Sequence, residues 1–257
     1  MKKSTPYCII VHGGASAFPI HSNNDSLKIY KDSILKVVQT GFDILKNGGS
    51  ALDAVEVAIN ALENDPLYNS GTGCCLTSSG TVELDAMIID GSNMNLGSVG
   101  CVNCSRNPIS LARLVMEKSP HCMLVGDGAR EFAKSQGHPI LETPQELVTL
   151  KETENLKRLK NFEGAIKNQM NVPTGSRDCD TVGAVALDSH GNISCGTSTG
   201  GITGKMPGRL GDAALIGCGG YANKFGAASC TGHGESLMKA LCCKNVVLEL
   251  EKGKNPC

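Results

Sequence analysis

Nine residues in the second half of the chain, Asp180-Thr181-Val182-Gly183-Ala184-Val185-Ala186-Leu187-Asp188, constrain the fold most. Val182, Ala184 and Ala186 alternate with Gly183, Val185 and Leu187, and both sets are small or apolar. The segment therefore reads as a strand covered on both faces. A polar, charged stretch precedes it, so Thr181 stands where a cut after Asp180 would make it a new N-terminus. A freed threonine carries a hydroxyl nucleophile and an α-amino base on one residue, which activates an otherwise weak alcohol. Threonine also begins many strands in uncut chains, and these nine residues alone leave both readings open.

The flanking segments supply helices and turns. Tyr7 to Val11 reads as a strand that ends at a glycine turn, and Ser26 to Lys46 carries apolar residues at helical spacing and stops at Asn47-Gly48-Gly49. Ser50 with Asp53 opens a second helix in capping-box fashion, running to about Glu63 before Asp65-Pro66. Short strands and turns at Gly80 and Gly91 occupy Cys74 to Val102, and Asn107-Pro108 caps a further helix to about Glu117. From Thr143 to Arg177 the composition turns to Glu, Lys and Asn, which predicts a helix running into a mobile loop before Thr181. Beyond Thr181, Gly191-Asn192 makes a turn, Ile193 to Ser198 returns as a hairpin partner, Ala213 to Gly217 reads as a third strand, and Gly234 to Lys252 as one apolar helix.

Four short motifs follow one another in the chain: His12-Gly13-Gly14, Thr197-Ser198-Thr199-Gly200-Gly201, Gly208-Arg209-Leu210-Gly211-Asp212 and Thr231-Gly232-His233-Gly234-Glu235. Together with Thr181 they resemble the plant-type asparaginase and isoaspartyl peptidase family of N-terminal-nucleophile hydrolases, its cytosolic animal branch in particular, from about Tyr7 to about Leu250. The resemblance implies an α+β fold, a four-layer αββα sandwich. It also implies a precursor cut between Asp180 and Thr181 into an α-segment, 1–180, and a β-segment, 181–257, that remain one folded domain. Many relatives have glycine before the threonine and others aspartate, whose carboxylate could assist cleavage as a base.

The same resemblance assigns roles position by position. Thr181 is the nucleophile, and Thr199 hydrogen-bonds and orients it. Arg209 and Asp212, with Leu210 and Gly211 between them, hold the substrate's α-carboxylate and α-ammonium groups, a task for which a guanidinium fork and a carboxylate are chemically suited. A surface ion pair at i, i+3 is the plainer reading of the same two residues. Thr231 and Gly232 form the oxyanion hole, and Gly234 permits close backbone approach. His233 lies within the binding loop, with a structural role and no part as a base. Asn69 lies beside the nucleophile, and Gly13 and Gly14 pack against Thr181. The loop Leu62 to Asn69 resembles one that holds a structural sodium ion through backbone carbonyls; no other cofactor is implied.

Composition limits the partners. A net charge of −1 gives no electrostatic reason to expect nucleic acid, and no run of eighteen apolar residues suggests a membrane span. Met1 to Pro6 leads into an apolar run too short for a signal peptide, so the thirteen cysteines read as reduced and the location as cytoplasmic. Cys101 and Cys104 make a single C-x-x-C without a second pair at zinc spacing, and the sequons at Asn24, Asn103 and Asn192 read as chance matches.

The expected activity is hydrolysis of L-asparagine to L-aspartate and ammonia and cleavage of β-aspartyl dipeptides, by a dimer of cleaved αβ heterodimers. A glycosylasparaginase is the alternative enzyme; threonine aspartase fits less well because Asp212 suits a free amino acid. Relatives of this type usually continue for several tens of residues past Cys257, which predicts a C-terminally shortened sandwich with an open sheet edge and reduced stability. A non-catalytic, uncleaved form is the corresponding alternative.

Overall fold

The computed structural model describes residues 6–15, 24–159 and 181–255. Strands β1 (Cys8–His12), β2 (Leu84–Asp90), β3 (Asn95–Val102), β4 (Met123–Val125), β5 (Val182–Leu187) and β6 (Ile193–Thr199) form a mixed sheet in the order β1-β5-β6-β2-β3-β4. Every neighbouring pair is antiparallel except β3 with β4. The segment read as a doubly covered strand is β5, paired on both edges, and Val182, Gly183 and Ala184 are buried.

Helix α2 (Ala51–Glu63) packs against both α1 (Asn24–Lys46) and α3 (Pro108–Lys118), and all three pack on the sheet. In α2, Ala51, Ala54, Val55, Ala58, Ile59 and Leu62 recur at helical spacing and are buried against β5 and β6. Each of the larger three contributes about 1.5–3 kcal/mol by leaving water. Ser50 caps α2 as expected, accepting from the Asp53 backbone N–H at 3.1 Å, while its own hydroxyl donates to the Asp53 carboxylate at 2.7 Å. Asp188 braces the same helix from the β5–β6 turn, accepting from the Ala51 N–H at 3.2 Å.

On the sheet's other side lies a two-stranded hairpin, β7 (Gly220–Asn223) and β8 (Gly226–Ser229), which touches β2, β5 and β6. Helix α4 (Gly126–Ser135) follows β4, and α5 (Leu150–Arg158) follows a 3-10 turn at Pro144–Leu147. The C-terminal part holds α6 (Gly234–Ala240) and α7 (Cys242–Glu251), and α7 packs on both strands of the hairpin.

Several expectations are corrected. Ala213 to Gly217 is no strand: Asp212–Ala214 is a 3-10 turn, and the partner strands of that region are β7 and β8. The apolar helix from Gly234 to Lys252 is two helices, because Leu241 takes a left-handed conformation with φ 45°. Asn107 precedes α3 but does not cap it with its side chain, which donates to the Glu63 carboxylate instead, at 3.0 Å. The helix expected near Thr143 is present as the turn and α5; residues 160–177 of the expected loop, and Asp180 of the expected cut, lie outside the described residues. Among the described residues, no helix is long and apolar enough to cross a membrane.

Candidate active site

Thr181 is buried at the head of β5. One step beyond the last paired residues, Val182 and Ser198, the register brings it opposite Thr199. Side chains alternate along a strand, so Thr181 shares the face of Gly183, and Thr199 that of Thr197 and Cys195. Thr197 Oγ1 donates to the Ala213 carbonyl at 2.6 Å and Cys195 Sγ to the Ala228 carbonyl at 3.2 Å, which fixes this face toward the hairpin and the Asp212 turn. Thr199 Oγ1 accepts from the Gly201 N–H at 2.9 Å and so closes the turn after β6.

Arg209 and Asp212 come together at Gly234. A Cβ on Gly234 would lie 2.8 Å from Arg209 Nη2 and 2.9 Å from Asp212 Oδ1, so only glycine lets the backbone pass between them. The plain i, i+3 ion pair is not what forms. Arg209 is held by Glu235, with Nε to Oε1 and Nη2 to Oε2 both at 3.0 Å. Its Nη1 lies beside Gly201 and Gly211, 3.2 and 2.8 Å from where their Cβ atoms would stand. Leu210 turns away and lies over Gly100 of β3.

The loop Thr231-Gly232-His233 leads from β8 into α6. Thr231 Oγ1 accepts from the Ala15 N–H at 3.2 Å, which draws it to the glycine turn after β1. Gly232 has φ 144°, a value that L side chains rarely adopt. His233 is engaged in its own helix start, with Nδ1 2.8 Å from Ser236 Oγ and Nε2 3.3 Å from the Glu235 carboxylate. Gly13 faces the Tyr68 ring, where a Cβ would collide, and Gly14 takes φ 110°.

Asn69 is a buried clamp. Its Nδ2 donates to the Gly201 carbonyl at 2.6 Å and its Oδ1 accepts from the Cys75 N–H at 2.7 Å, while its carbonyl accepts from the Gly200 N–H at 3.0 Å. Two residues further on, Gly71 lies against the Glu63 and Arg106 carbonyls, where any Cβ would intrude on both, and the Glu63 carbonyl accepts from the Thr72 N–H at 2.8 Å. Among the described residues no cluster of three or more His, Cys, Asp or Glu side chains could hold a metal.

Some groups around the site escape a reading by motif. Glu63 is fully buried on the helix side of the sheet, accepting from Ser198 Oγ at 2.7 Å, the Ile109 N–H at 3.0 Å and Asn107; burial pushes its carboxyl up to about 8 against those bonds. Ser198 Oγ also lies 2.6 Å from Ser70 Oγ. Lys205 is fully buried and donates to the Glu83 carbonyl at 2.9 Å. Asp85 is buried too; desolvation raises its pKa while the Lys205 charge opposes, and its Oδ1 accepts from the Cys101 N–H at 2.8 Å. An aspartate inside the apolar run Leu84 to Ile89 is a signal of a special role; nothing in the sequence marks Lys205. His12, next to the motif glycines, is 2.7 Å from Ser229 Oγ, and burial lowers its pKa to about 4.

The family described as Asparaginase matches residues 5–257, nearly the whole chain. The chain is 46% identical over 248 residues to the isoaspartyl peptidase/L-asparaginase of Homo sapiens, covering 96% of this chain and 77% of that protein. It is 44% identical over 248 residues to the protein of the same name from Bos taurus, with 96% and 78% covered. A putative isoaspartyl peptidase/L-asparaginase of Dictyostelium discoideum is 40% identical over 274 residues, with 95% and 79% covered. This chain belongs to the asparaginase family.

Proposed function

We propose that the protein is an autocleaving amidohydrolase that converts L-asparagine to L-aspartate and ammonia and cleaves β-aspartyl dipeptides, through an acyl-enzyme on Thr181. The observation that carries this reading is the meeting of Arg209 and Asp212 at Gly234, two residues from Gly232, on the side of the sheet toward which Thr181 and Thr199 face. An arginine and an aspartate in one small site select a zwitterion, which is what both substrates present at their α-carbon. The names of the relatives, isoaspartyl peptidase/L-asparaginase, support the same chemistry.

The precursor is cut when the Thr181 hydroxyl attacks the Asp180 carbonyl and water opens the resulting ester, leaving segments 1–180 and 181–257. In turnover the new α-amine takes the Thr181 hydroxyl proton as Oγ attacks the substrate's β-carbonyl. The Thr231 hydroxyl and Gly232 N–H donate to the developing oxyanion. The leaving amine departs with a proton, water attacks the β-aspartyl ester, and aspartate is released. Thr199 orients the nucleophile, Arg209 binds the α-carboxylate and Asp212 the α-ammonium. His233 stays a structural residue, and Gly13, Gly14 and Asn69 shape the wall behind the nucleophile.

The same reading makes the sheet, the hairpin and the helices on either side a four-layer αββα sandwich. It places the enzyme in the cytoplasm, to which eleven free cysteines among the described residues are suited, and as a dimer of αβ heterodimers. A structural sodium ion, held by backbone carbonyls of the loop from Leu62 to Asn69, belongs to the same reading.

Intact-mass measurement of the purified protein over time, beside Thr181→Ala, tests the reading. Two fragments meeting at Asp180 and Thr181, absent from the variant, with ammonia released from asparagine, are expected. A folded, uncut and inactive protein overturns it.

A further inference from the structure

Cys230 immediately precedes Thr231, and its Sγ receives a hydrogen bond from Cys243 Sγ at 3.0 Å. The two thiols come from different segments, one in the loop just after β8 and the other in the first turn of α7. Their environments differ in a useful way. Cys230 is half-buried, within reach of a small solute, and Cys243 is fully buried behind it. The Cys243 hydrogen bond, and a second from Cys242, lower the Cys230 pKa against the effect of burial, which favours its thiolate form. Cys243 is raised in turn and keeps its proton. The remaining nearby thiol, Cys195, is fully buried and donates to the Ala228 carbonyl. A half-buried thiol that favours its thiolate, backed by a protonated, buried thiol, is the arrangement of an attacking and a resolving cysteine.

We propose that Cys230 and Cys243 are a peroxide-sensitive pair whose disulfide ties the Thr231-Gly232 loop to α7 and lowers turnover. The Cys230 thiolate attacks one oxygen of a hydroperoxide and the O–O bond breaks. The departing oxygen takes up a proton and leaves as water (or an alcohol), and Cys230 becomes a sulfenic acid. Cys243 sulfur then displaces that hydroxyl, which leaves with the Cys243 proton as a second water. The two sulfurs lose two electrons and the peroxide gains them; a dithiol reverses the change. The effect on turnover rests on the amidohydrolase reading, because it acts through the oxyanion donors; formation of the bond does not.

Hydrogen peroxide titration of the purified protein, followed by peptide mapping without reductant, tests the bond. A mass loss of about 2 Da located between Cys230 and Cys243 and reversed by dithiothreitol is expected. A crosslink that maps to Cys242 or Cys195, or none while sulfonic acids accumulate, overturns the pairing. Mapping on the unmutated protein does not depend on any variant folding. For the consequence, asparagine hydrolysis before and after oxidation is compared with Cys230→Ser and Cys243→Ser. A loss of about tenfold or more in the parent and little in either variant is expected, given the cost of small misplacements of catalytic groups. A crosslinked enzyme that retains full activity overturns the regulatory effect. A reduced protein with no activity that still crosslinks refutes the amidohydrolase reading and with it the loss of turnover, and leaves the pairing established.

Discussion

Glu235 grips Arg209 through two parallel hydrogen bonds, Nε to Oε1 and Nη2 to Oε2, each 3.0 Å long. The pair uses one edge of the guanidinium and leaves Nη1 beside Gly201 and Gly211, the group that meets the substrate's α-carboxylate in the proposed function. Glu235 thus fixes the plane of the fork before substrate arrives, which reduces the entropy lost on binding. Arg209→Lys, which keeps charge but not the fork, is expected to raise KM by about 100-fold. Glu235→Gln keeps the shape and one acceptor and is expected to raise KM roughly threefold to tenfold with kcat much less changed. Steady-state kinetics with asparagine separate the two; an unchanged KM in Glu235→Gln shows that the pair does not position the arginine.

Gly183 sits two residues after Thr181 with no room for a side chain. A Cβ there would collide with Ser229 Oγ and His12 Nε2, which lie 2.7 Å from each other. Gly183→Ala must push apart β1, β5 and β8 at the Thr181 end of the sheet. Overpacking of this kind costs about 1–3 kcal/mol. Thermal unfolding is expected to show that loss, and the proposed self-cleavage at Thr181 to slow, because the bond before Thr181 depends on the same backbone. An equally stable Gly183→Ala protein means that His12 and Ser229 relax freely.

How much of this was legible differs by element. Strand β5 and helix α2 are local patterns: two apolar faces in the one, a Ser50 cap and helical spacing in the other. The hairpin Gly220 to Ser229 has no such pattern, half of it being Gly and Ala, and it is held by contact with β6 and α7. Leu241 is a good helix former, yet it takes a left-handed conformation that lets Cys243 and Val247 turn onto Tyr221. Tertiary packing decides there, and propensity does not. In the site, Arg209, Asp212 and Thr231 stand out because their motif is short and ordered. Glu63 and Glu235 do not, since a charged residue's burial or partner is set by chain segments far away in sequence.

Asn69 spends every polar atom of its side chain on two backbone segments, the Gly201 carbonyl and the Cys75 N–H. Asn69→Ala leaves both buried groups unpaired, at about 1–3 kcal/mol apiece. Asn69→Asp keeps the bond to Cys75 and sets a carboxylate oxygen against the Gly201 carbonyl, so it is expected to be no better than alanine. Chemical denaturation reads the loss directly. Activity is expected to fall in step, since the Gly200-Gly201 turn carries the approach to Arg209.

Glu63 makes stability depend on pH in an unusual direction. Its carboxyl is raised from 4.5 to about 8 by burial, so the folded state binds its proton more tightly than the unfolded chain. The stabilisation is complete below about pH 4.5 and is lost as pH rises toward 8. His12 has the opposite sign: with its pKa lowered from 6.5 to about 4, it adds stability as pH rises through that interval. The two offset each other between pH 4.5 and 6.5, and between 6.5 and 8 Glu63 acts without that opposition. Unfolding free energy is therefore expected to decline across the upper interval by an amount on the order of 1–2 kcal/mol. Glu63→Gln, which keeps the acceptor for Ser198 and Ile109 and cannot ionise, is expected to flatten the decline. A slope equal to that of the parent assigns the pH dependence to other groups.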